Sequence, residues 1–451
     1  MEKKLTKNNQ SGEKMRLILI AAMLTSSAYA KDLQLENLWK KSYQQALAMK
    51  ASRANTDASR LEMERSEKHW YPQVYATGNS FVTNDPGANM FGLLSQRDIK
   101  QNDFMPDSLN HPSSSVFTKA TVGITVPLYE GGQKVAVSKA MTSMFESKKK
   151  EESFVAINFY SEFVKTYTQT AALHVQMSEL KKVKATLDNL LANYKIGNKS
   201  NMLGYSGLLG LKSLNQKLIA LSDENSAKSA ANQKALAELS GEKTVLNFQD
   251  TVEVESIANE YISTSKDDYA ASEKINSMYE NAKAAKQIID AEKSRNLPRI
   301  GVFGESYAFN GDRKTATGYS AGLYLNWNLF SAGDMGATEQ AISRSHAAQY
   351  YAEATSQKEK MEFVGMKEMQ VALVKTLGTL SESQKLLDEQ IKIANTLFRN
   401  GMINALQLVE VLSRRVDLVG LQTDARMNLV NVQSQLLMLT NTKPSLLVGD
   451  K

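Results

Sequence analysis

Gly318-Tyr319-Ser320-Ala321-Gly322 has the G-x-S-x-G spacing of a hydrolase nucleophile elbow, and Asp334 and His346 follow in the chain order of the matching acid and base. Such an elbow needs its serine on a sharp strand-to-helix turn. Ser320 instead belongs to an alternating run that continues to Trp327, which predicts a small polar residue on one face of a strand. His69, His111, His174 and His346 have no metal-ligand spacing such as H-E-x-x-H. Gly241-Glu242-Lys243-Thr244 lacks the upstream glycine of a phosphate-binding loop. There is no cysteine, which removes disulfides, thiolate metal sites and thiol nucleophiles. The sequence therefore predicts no enzyme, no metal and no cofactor.

The elements behind these residues are unusual for a chain of 451 residues. It contains 7 prolines: Pro72, Pro86, Pro106, Pro112, Pro127, Pro298 and Pro444. The two stretches between Pro127, Pro298 and Pro444 are proline-free, as very long helices require, since an interior proline costs about 3 kcal/mol. The hydrophobic share is 42% and the mean hydropathy -0.36; no run beyond the N-terminus approaches the roughly 18 apolar residues of a membrane-spanning helix.

Met15 and Arg16, the apolar run Leu17 to Leu24 and the small-x-small triplet Ala28-Tyr29-Ala30 read as an export signal. The mature chain is expected to begin near Lys31, with residues 1–14 an upstream extension. The formal charge of +6 falls to about +3 without that segment. This is too mild to argue for nucleic acid, and no basic run with interleaved aromatics is present.

The chain repeats itself at an offset of roughly 200 residues. Trp70-Tyr71-Pro72 and Asn296-Leu297-Pro298 each open a β segment; Pro127-Leu128-Tyr129-Glu130-Gly131-Gly132 and Asn328-Leu329-Phe330-Ser331-Ala332-Gly333 each follow one. Asn193-Tyr194-Lys195-Ile196-Gly197 and Leu397-Phe398-Arg399-Asn400-Gly401 each end a long helical run. Five segments are expected: a signal peptide at 1–30, a first repeat at 31–240, a small mixed linker at 241–268, a second repeat at 269–440 and a tail at 441–451. Each repeat reads helix, β-hairpin, long helix, turn, helix.

Four segments show the period-2 alternation of half-buried strands. Ala120, Val122, Ile124 and Val126 alternate with small or polar neighbours, as do Tyr319, Ala321, Leu323, Leu325 and Trp327. Gln73 to Val82 and Arg299 to Phe309 are weaker strands that pair with these as hairpins. The helical run from Gln133 to Lys195 spans on the order of 95 Å at 1.5 Å per residue. Leu180, Leu187 and Tyr194, and Leu373, Leu380, Leu387 and Ala394, recur every seven residues, the spacing of coiled-coil packing. Gly197 and Gly401 lie where a helix C-terminus needs a residue tolerant of positive φ, so both turns are tips of helical hairpins. Gly204, Gly207 and Gly210 follow the first tip, where they permit close helix packing or else fray the helix. Four amphipathic strands cannot close a barrel, and open sheet edges are not tolerated in lipid. Several copies must pool their strands, and three chains would give twelve.

Taken together, these motifs, their order and their spacing resemble the TolC family of outer-membrane efflux proteins over the whole mature chain. The resemblance implies a mainly α fold with β: long coiled-coil hairpins forming a trimeric α-barrel, plus four strands per chain in a twelve-stranded transmembrane β-barrel. It implies a homotrimer in the outer membrane with its helical part in the periplasm. Its partners would be a periplasmic adaptor (membrane fusion) protein and an inner-membrane RND, MFS or ABC transporter of an efflux or type I secretion system. The tip residues Tyr194, Gly197, Phe398, Gly401 and Ile403 would dock the adaptor. Gln407 and Glu410 match the family's acidic constriction, with an amide in place of one acid, and three Glu410 side chains would favour cations. Tyr71, Tyr129, Trp327 and Phe330 are candidates for an aromatic girdle at the membrane interface. The competing class is a periplasmic coiled-coil structural or adaptor protein, which leaves four alternating strands at matching points of both halves unexplained.

Overall fold

The computed structural model describes residues 33–194, 201–241, 246, 248, 252–262, 268–440, 442 and 444–448. The export signal and Gly197 lie outside these residues. The chain forms two compact units, and each draws on both halves of the sequence. One comprises Arg53–Glu152 and Lys274–Gln357; the other comprises Met1–Ser52, Ser153–Glu273 and Lys358–Lys451.

In the first unit, β1 (Gln73–Thr83), β2 (Ser115–Glu130), β3 (Arg299–Asn310) and β4 (Ala316–Asn326) form one antiparallel sheet in sequence order. Val122 pairs with Ala76 and Ser306, and Glu305 pairs with Ser320 and Gly123. Both expected hairpins are present, and β2 and β3 join them. β2 begins earlier than its alternation suggested, because its first residues hide in a stretch rich in Ser and Pro yet pair with the far end of β1. The long β1–β2 connection is ordered and contains α3 (Pro86–Ser95) and α4 (Pro106–Asn110); α2 (Leu47–Glu67) precedes β1 and α8 (Glu273–Lys293) precedes β3.

Alternation places Val74, Val82, Val116, Val122, Ile124, Tyr319, Leu323 and Leu325 on one face, where all are exposed. The opposite face carries Tyr75, Thr121, Gly123, Glu305, Ser320 and Gly318. Its tyrosines lie over cross-strand glycines: a Cβ at Gly123 would fall 2.4 Å from the Tyr75 ring, and one at Gly318 2.5 Å from that of Tyr307. Each ring fills the space its glycine partner leaves, which pins the register.

In the second unit, α1 (Leu33–Gln45) inserts Trp39 into an aromatic core with Tyr160 and Phe163 of α5 (Gln133–Asn193). The stretch expected as a small linker contributes to this core. Its helix α7 (Val254–Tyr261) buries Ile257, Ala258 and Tyr261 against α5, and Leu246 joins them. Losing the seven-residue spacing there marks a change of packing partner rather than a loss of packing.

Of the predicted coiled-coil positions, Leu180, Leu187 and Ala394 are buried, while Tyr194, Leu373, Leu380 and Leu387 are half-buried. Leu180, Val183 and Leu187 of α5 pack with Leu211 and Leu218 of α6 (Met202–Ser240) and with Leu412, Val416 and Val419 of α10 (Ala405–Met438). Ala394 of α9 (Ala337–Arg399) completes the cluster. Helices α6 and α10 approach closely at Gly207, where a Cβ would lie 2.6 Å from that of Ala405. Gly210 has only ordinary van der Waals neighbours at 3.5 Å or more. Of the two readings of this glycine run, Gly207 therefore takes close packing.

Arg415 crosses the same bundle. Its side chain is 4% exposed; Nε donates to Asp388 Oδ1 at 2.8 Å and Nη2 donates to Glu179. One guanidinium thus ties α10 to α9 and α5, and removing it would leave the mostly buried Glu179 with Lys182 as its remaining charged partner.

Two matched predictions follow from this packing. Gly207→Ala destabilises by about 1–3 kcal/mol through overpacking, whereas Gly210→Ala gains up to about 1 kcal/mol from helix propensity. Melting temperatures of the purified protein should move in opposite directions. Arg415→Ala costs about 3 kcal/mol and lowers the denaturation midpoint more than any charge-to-alanine change on an exposed helix face.

Candidate functional site

The chemistry-bearing residues fall into three groups: the helical turns of the second unit, and the polar sheet face and strand ends of the first. At the turns, α9 ends in a Schellman motif. Gly401 has φ of +73°, its N–H donates to Phe398 O at 3.0 Å, and the Met402 N–H donates to Leu397 O at 2.8 Å. These two bonds satisfy carbonyls that a helix end otherwise leaves open. Gly401 is thus where a helix must stop, as its spacing predicted.

Tyr194 and Phe398, one from each repeat, stack with ring centroids 6.2 Å apart and planes 2° from parallel. The Tyr194 hydroxyl donates to Gly204 O at 2.8 Å. Burial raises the pKa of this phenol above its ordinary value and so keeps the donor protonated. Ile403 is partly buried against the same cluster. The structure therefore brings Tyr194, Phe398, Gly401 and Ile403 together around a cavity of about 1000 Å³ whose rim is rich in amides, including Asn189, Asn201 and Asn395.

The two constriction candidates behave differently from bare acids. Gln407 closes a capping box at the start of α10: Asn404 N–H donates to Gln407 Oε1, and Gln407 N–H donates to Asn404 Oδ1, both at 3.0 Å. Its amide oxygen is committed to the helix end. The signal was legible as Asn404-x-x-Gln407 directly before an apolar run. Glu410 is exposed and pairs with Arg414 one turn further along α10. Sequence reasoning missed Arg414, although glutamate followed four residues later by arginine is a common helix-face pair.

On the polar sheet face, Ser320 Oγ donates to Glu305 Oε1 at 2.8 Å, and Tyr75 OH approaches Glu305 Oε2 at 3.4 Å. Lys119 Nζ lies 4.8 Å from the Tyr307 ring centroid. Ser320 is mid-strand rather than on an elbow, and Asp334 accepts from Arg295 at 2.9 Å instead of facing a histidine. Glu305 was not singled out from the sequence because its strand alternates only weakly.

At the strand ends nearest the long helices, Tyr71, Tyr129, Trp327 and Phe330 are all exposed. Trp70 joins them, edge-on to Tyr71 at 4.6 Å, and the Trp327 indole donates to Asn296 O at 3.0 Å. Leu128 and Leu329 are exposed beside them. Among the described residues none of these rings belongs to a buried core cluster.

No protein-family model matches the sequence, and no curated protein matches it. Solved structures do. The channel protein CusC aligns with TM-score 0.73 at 14% identity over 92% of this chain and 94% of its own. The open state of the Neisseria gonorrhoeae outer-membrane channel MtrE gives 0.73 at 13% over 90% and 88%. The Campylobacter jejuni outer-membrane channel CmeC gives 0.70 at 11% over 91% and 87%. With four strands, paired helical hairpins and nearly complete coverage in both directions, this chain has the fold of outer-membrane channel proteins.

Proposed function

We propose that the chain belongs to the TolC family and is one subunit of a homotrimeric outer-membrane exit duct, passively conducting substrates delivered by a periplasmic adaptor and an inner-membrane RND, MFS or ABC transporter. The observation that carries this reading is the sheet. One face exposes a band of Val, Ile and Leu, while the other mixes the polar and charged Lys119, Thr121, Glu305 and Ser320 with Tyr and Phe rings, as in a barrel with lipid outside and water inside. Strands of 11 to 16 residues reach the roughly 9–11 that a tilted spanning strand needs. Both edges, β1 and β4, are open among the described residues. An even strand number makes β4 of one copy antiparallel to β1 of the next, so three copies continue the alternation into twelve strands.

Helix α9 supports the same assembly. Met361, Val364, Val371, Leu386 and Ile393 are exposed at near-heptad spacing, an unpartnered seam of the kind that neighbouring coiled-coil helices cover. The girdle of Trp70, Tyr71, Tyr129, Trp327 and Phe330 would mark the membrane boundary, and the paired turns would dock the adaptor. A water-soluble structural or adaptor protein has no use for a lipid-compatible sheet face.

Two measurements test the reading. Outer-membrane fractions should contain a trimer on unheated denaturing gels that collapses to monomer on boiling; a monomer soluble without detergent would overturn it. In planar bilayers, Glu410→Gln should lower the cation-to-anion permeability ratio. Arg414→Gln, which frees Glu410 of its partner, should raise it. Failure of both to move selectivity would remove Glu410 from the conduction path.

A further inference from the structure

Helix α3, in the connection between β1 and β2, is inside out. Its buried residues are Asn89 and Gly92, joined by Gln96 just past its end, while Phe91 is 71% and Leu94 46% exposed. The polar side is held firmly. Asp85 caps the helix by accepting from Ala88 N–H at 2.7 Å, and Pro86 opens it. Asn89 Nδ2 donates to Ser113 O at 3.0 Å and to Ser115 Oγ at 3.2 Å. Gln96 Oε1 accepts from the backbone N–H of Arg313 and Lys314, at 2.9 and 3.1 Å, in the β3–β4 connection. Arg313 then grips Asp103 with two guanidinium nitrogens, at 2.6 and 2.5 Å. This fork holds the Asp103 carboxyl at a pKa of about 2, so the clasp stays ionised well into acid. A loop this well tied is a built element.

Its side of the sheet is fixed by Gly92. A Cβ there would lie 2.4 Å from the Phe117 ring, which is fully buried and packs on Phe81 and Phe309. Phe117 pairs with Phe81 and precedes Lys119, Thr121 and Gly123 at two-residue steps. It is therefore on the face of Tyr75 and Glu305, opposite the exposed Val, Ile and Leu band. Helix α3 leans over the polar face, at the sheet end away from the long helices.

An apolar edge on that side is out of reach of the lipid that would cover the other face, and water is a poor neighbour for Phe91 and Leu94. Strands about 4.8 Å apart and tilted near 40° give twelve of them a wall radius of about 12 Å. A helix packed on the wall reaches about 10 Å inward, so three such helices must touch. We propose that in the trimer the α3 helices converge across the outer mouth, where Phe91 and Leu94 of each copy meet those of its neighbours and form an apolar constriction. This rests on the exit-duct reading. A narrow apolar ring gates by excluding water, so the mouth would have a barrier of its own.

The absence of cysteine gives a clean test. In outer membranes carrying the full-length protein, single variants Phe91→Cys and Leu94→Cys should form covalent dimers within the trimer under a copper-phenanthroline oxidant. Leu323→Cys on the opposite face should not. The double variant Phe91→Ser, Leu94→Ser should raise single-channel conductance about twofold by widening and wetting the ring. A heat-sensitive trimer that gives no cross-link at either position and an unchanged conductance would overturn the constriction while leaving the duct intact. Labelling of Phe91→Cys by a lipid-bound maleimide would assign this edge to the bilayer and also overturn it. Absence of the trimer in every variant and in the parent would instead sink the duct reading.

Discussion

The structure depends on one constraint: a backbone N–H or C=O facing hydrocarbon without a partner costs several kcal/mol. The sheet has two such rows, along β1 and β4, beside a face of Val, Ile and Leu that is useless in water. Neither feature is tolerable alone. On the exit-duct proposal both would be satisfied when β4 of one copy pairs with β1 of the next, which would give the strand count and the need for identical neighbours one cause. The same proposal would account for the seam on α9, since a ring of copies closing the sheet would bring neighbouring helices side by side.

Within the subunit, the polar sheet face needs a different kind of specification, because small residues do not fix a register by themselves. Here the tyrosines do it. Tyr75 covers Gly123, Tyr307 covers Gly318 and Tyr324 covers Gly301, each on the neighbouring strand. A slip of one residue would drive these rings into side chains and turn the Val and Leu band inward. Glu305 gains a partner from Ser320, so its charge is hydrogen-bonded where it lines the face. Gly123, Gly318 and Gly301 are thus the residues that let the aromatics specify the register.

Much of the fold was legible because its signals are periodic. The alternation around Val122 and Leu323, the seven-residue spacing of Leu180 and Leu187, and the helix stop at Gly401 each follow from local geometry, and the structure places them as expected. What the sequence concealed was non-local. The helices inside the β1–β2 connection are held by Gln96 and Asp103 reaching residues more than two hundred positions away. The stretch around Val254 lost its heptad yet entered the aromatic core of Trp39 and Tyr160. Arg415 was invisible as a functional residue, since a charge on a helix gives no hint that it will be buried against two others.

At the tip, local stability and the proposed constriction would draw on the same residues. Gln407 has its side-chain oxygen on the Asn404 N–H, so the residue proposed for the first constriction position is occupied in starting α10. An acid there could cap as well, but it would add three like charges around one axis; the amide closes the same box without repulsion. Glu410 then supplies the charge, and Arg414 on the next turn offsets it. With the electrostatic lever shortened in this way, a closed tip has to rest on packing: Tyr194 on Phe398 across the two repeats, and Gly207 against Ala405 between α6 and α10. Packed contacts of this kind have few alternative arrangements, whereas exposed ion pairs exchange partners freely and are worth little. On the exit-duct proposal, opening such a tip would require sliding whole helices and breaking the Arg415 pairs that tie α10 to α9 and α5, and a partner gripping both turns at once would supply the force.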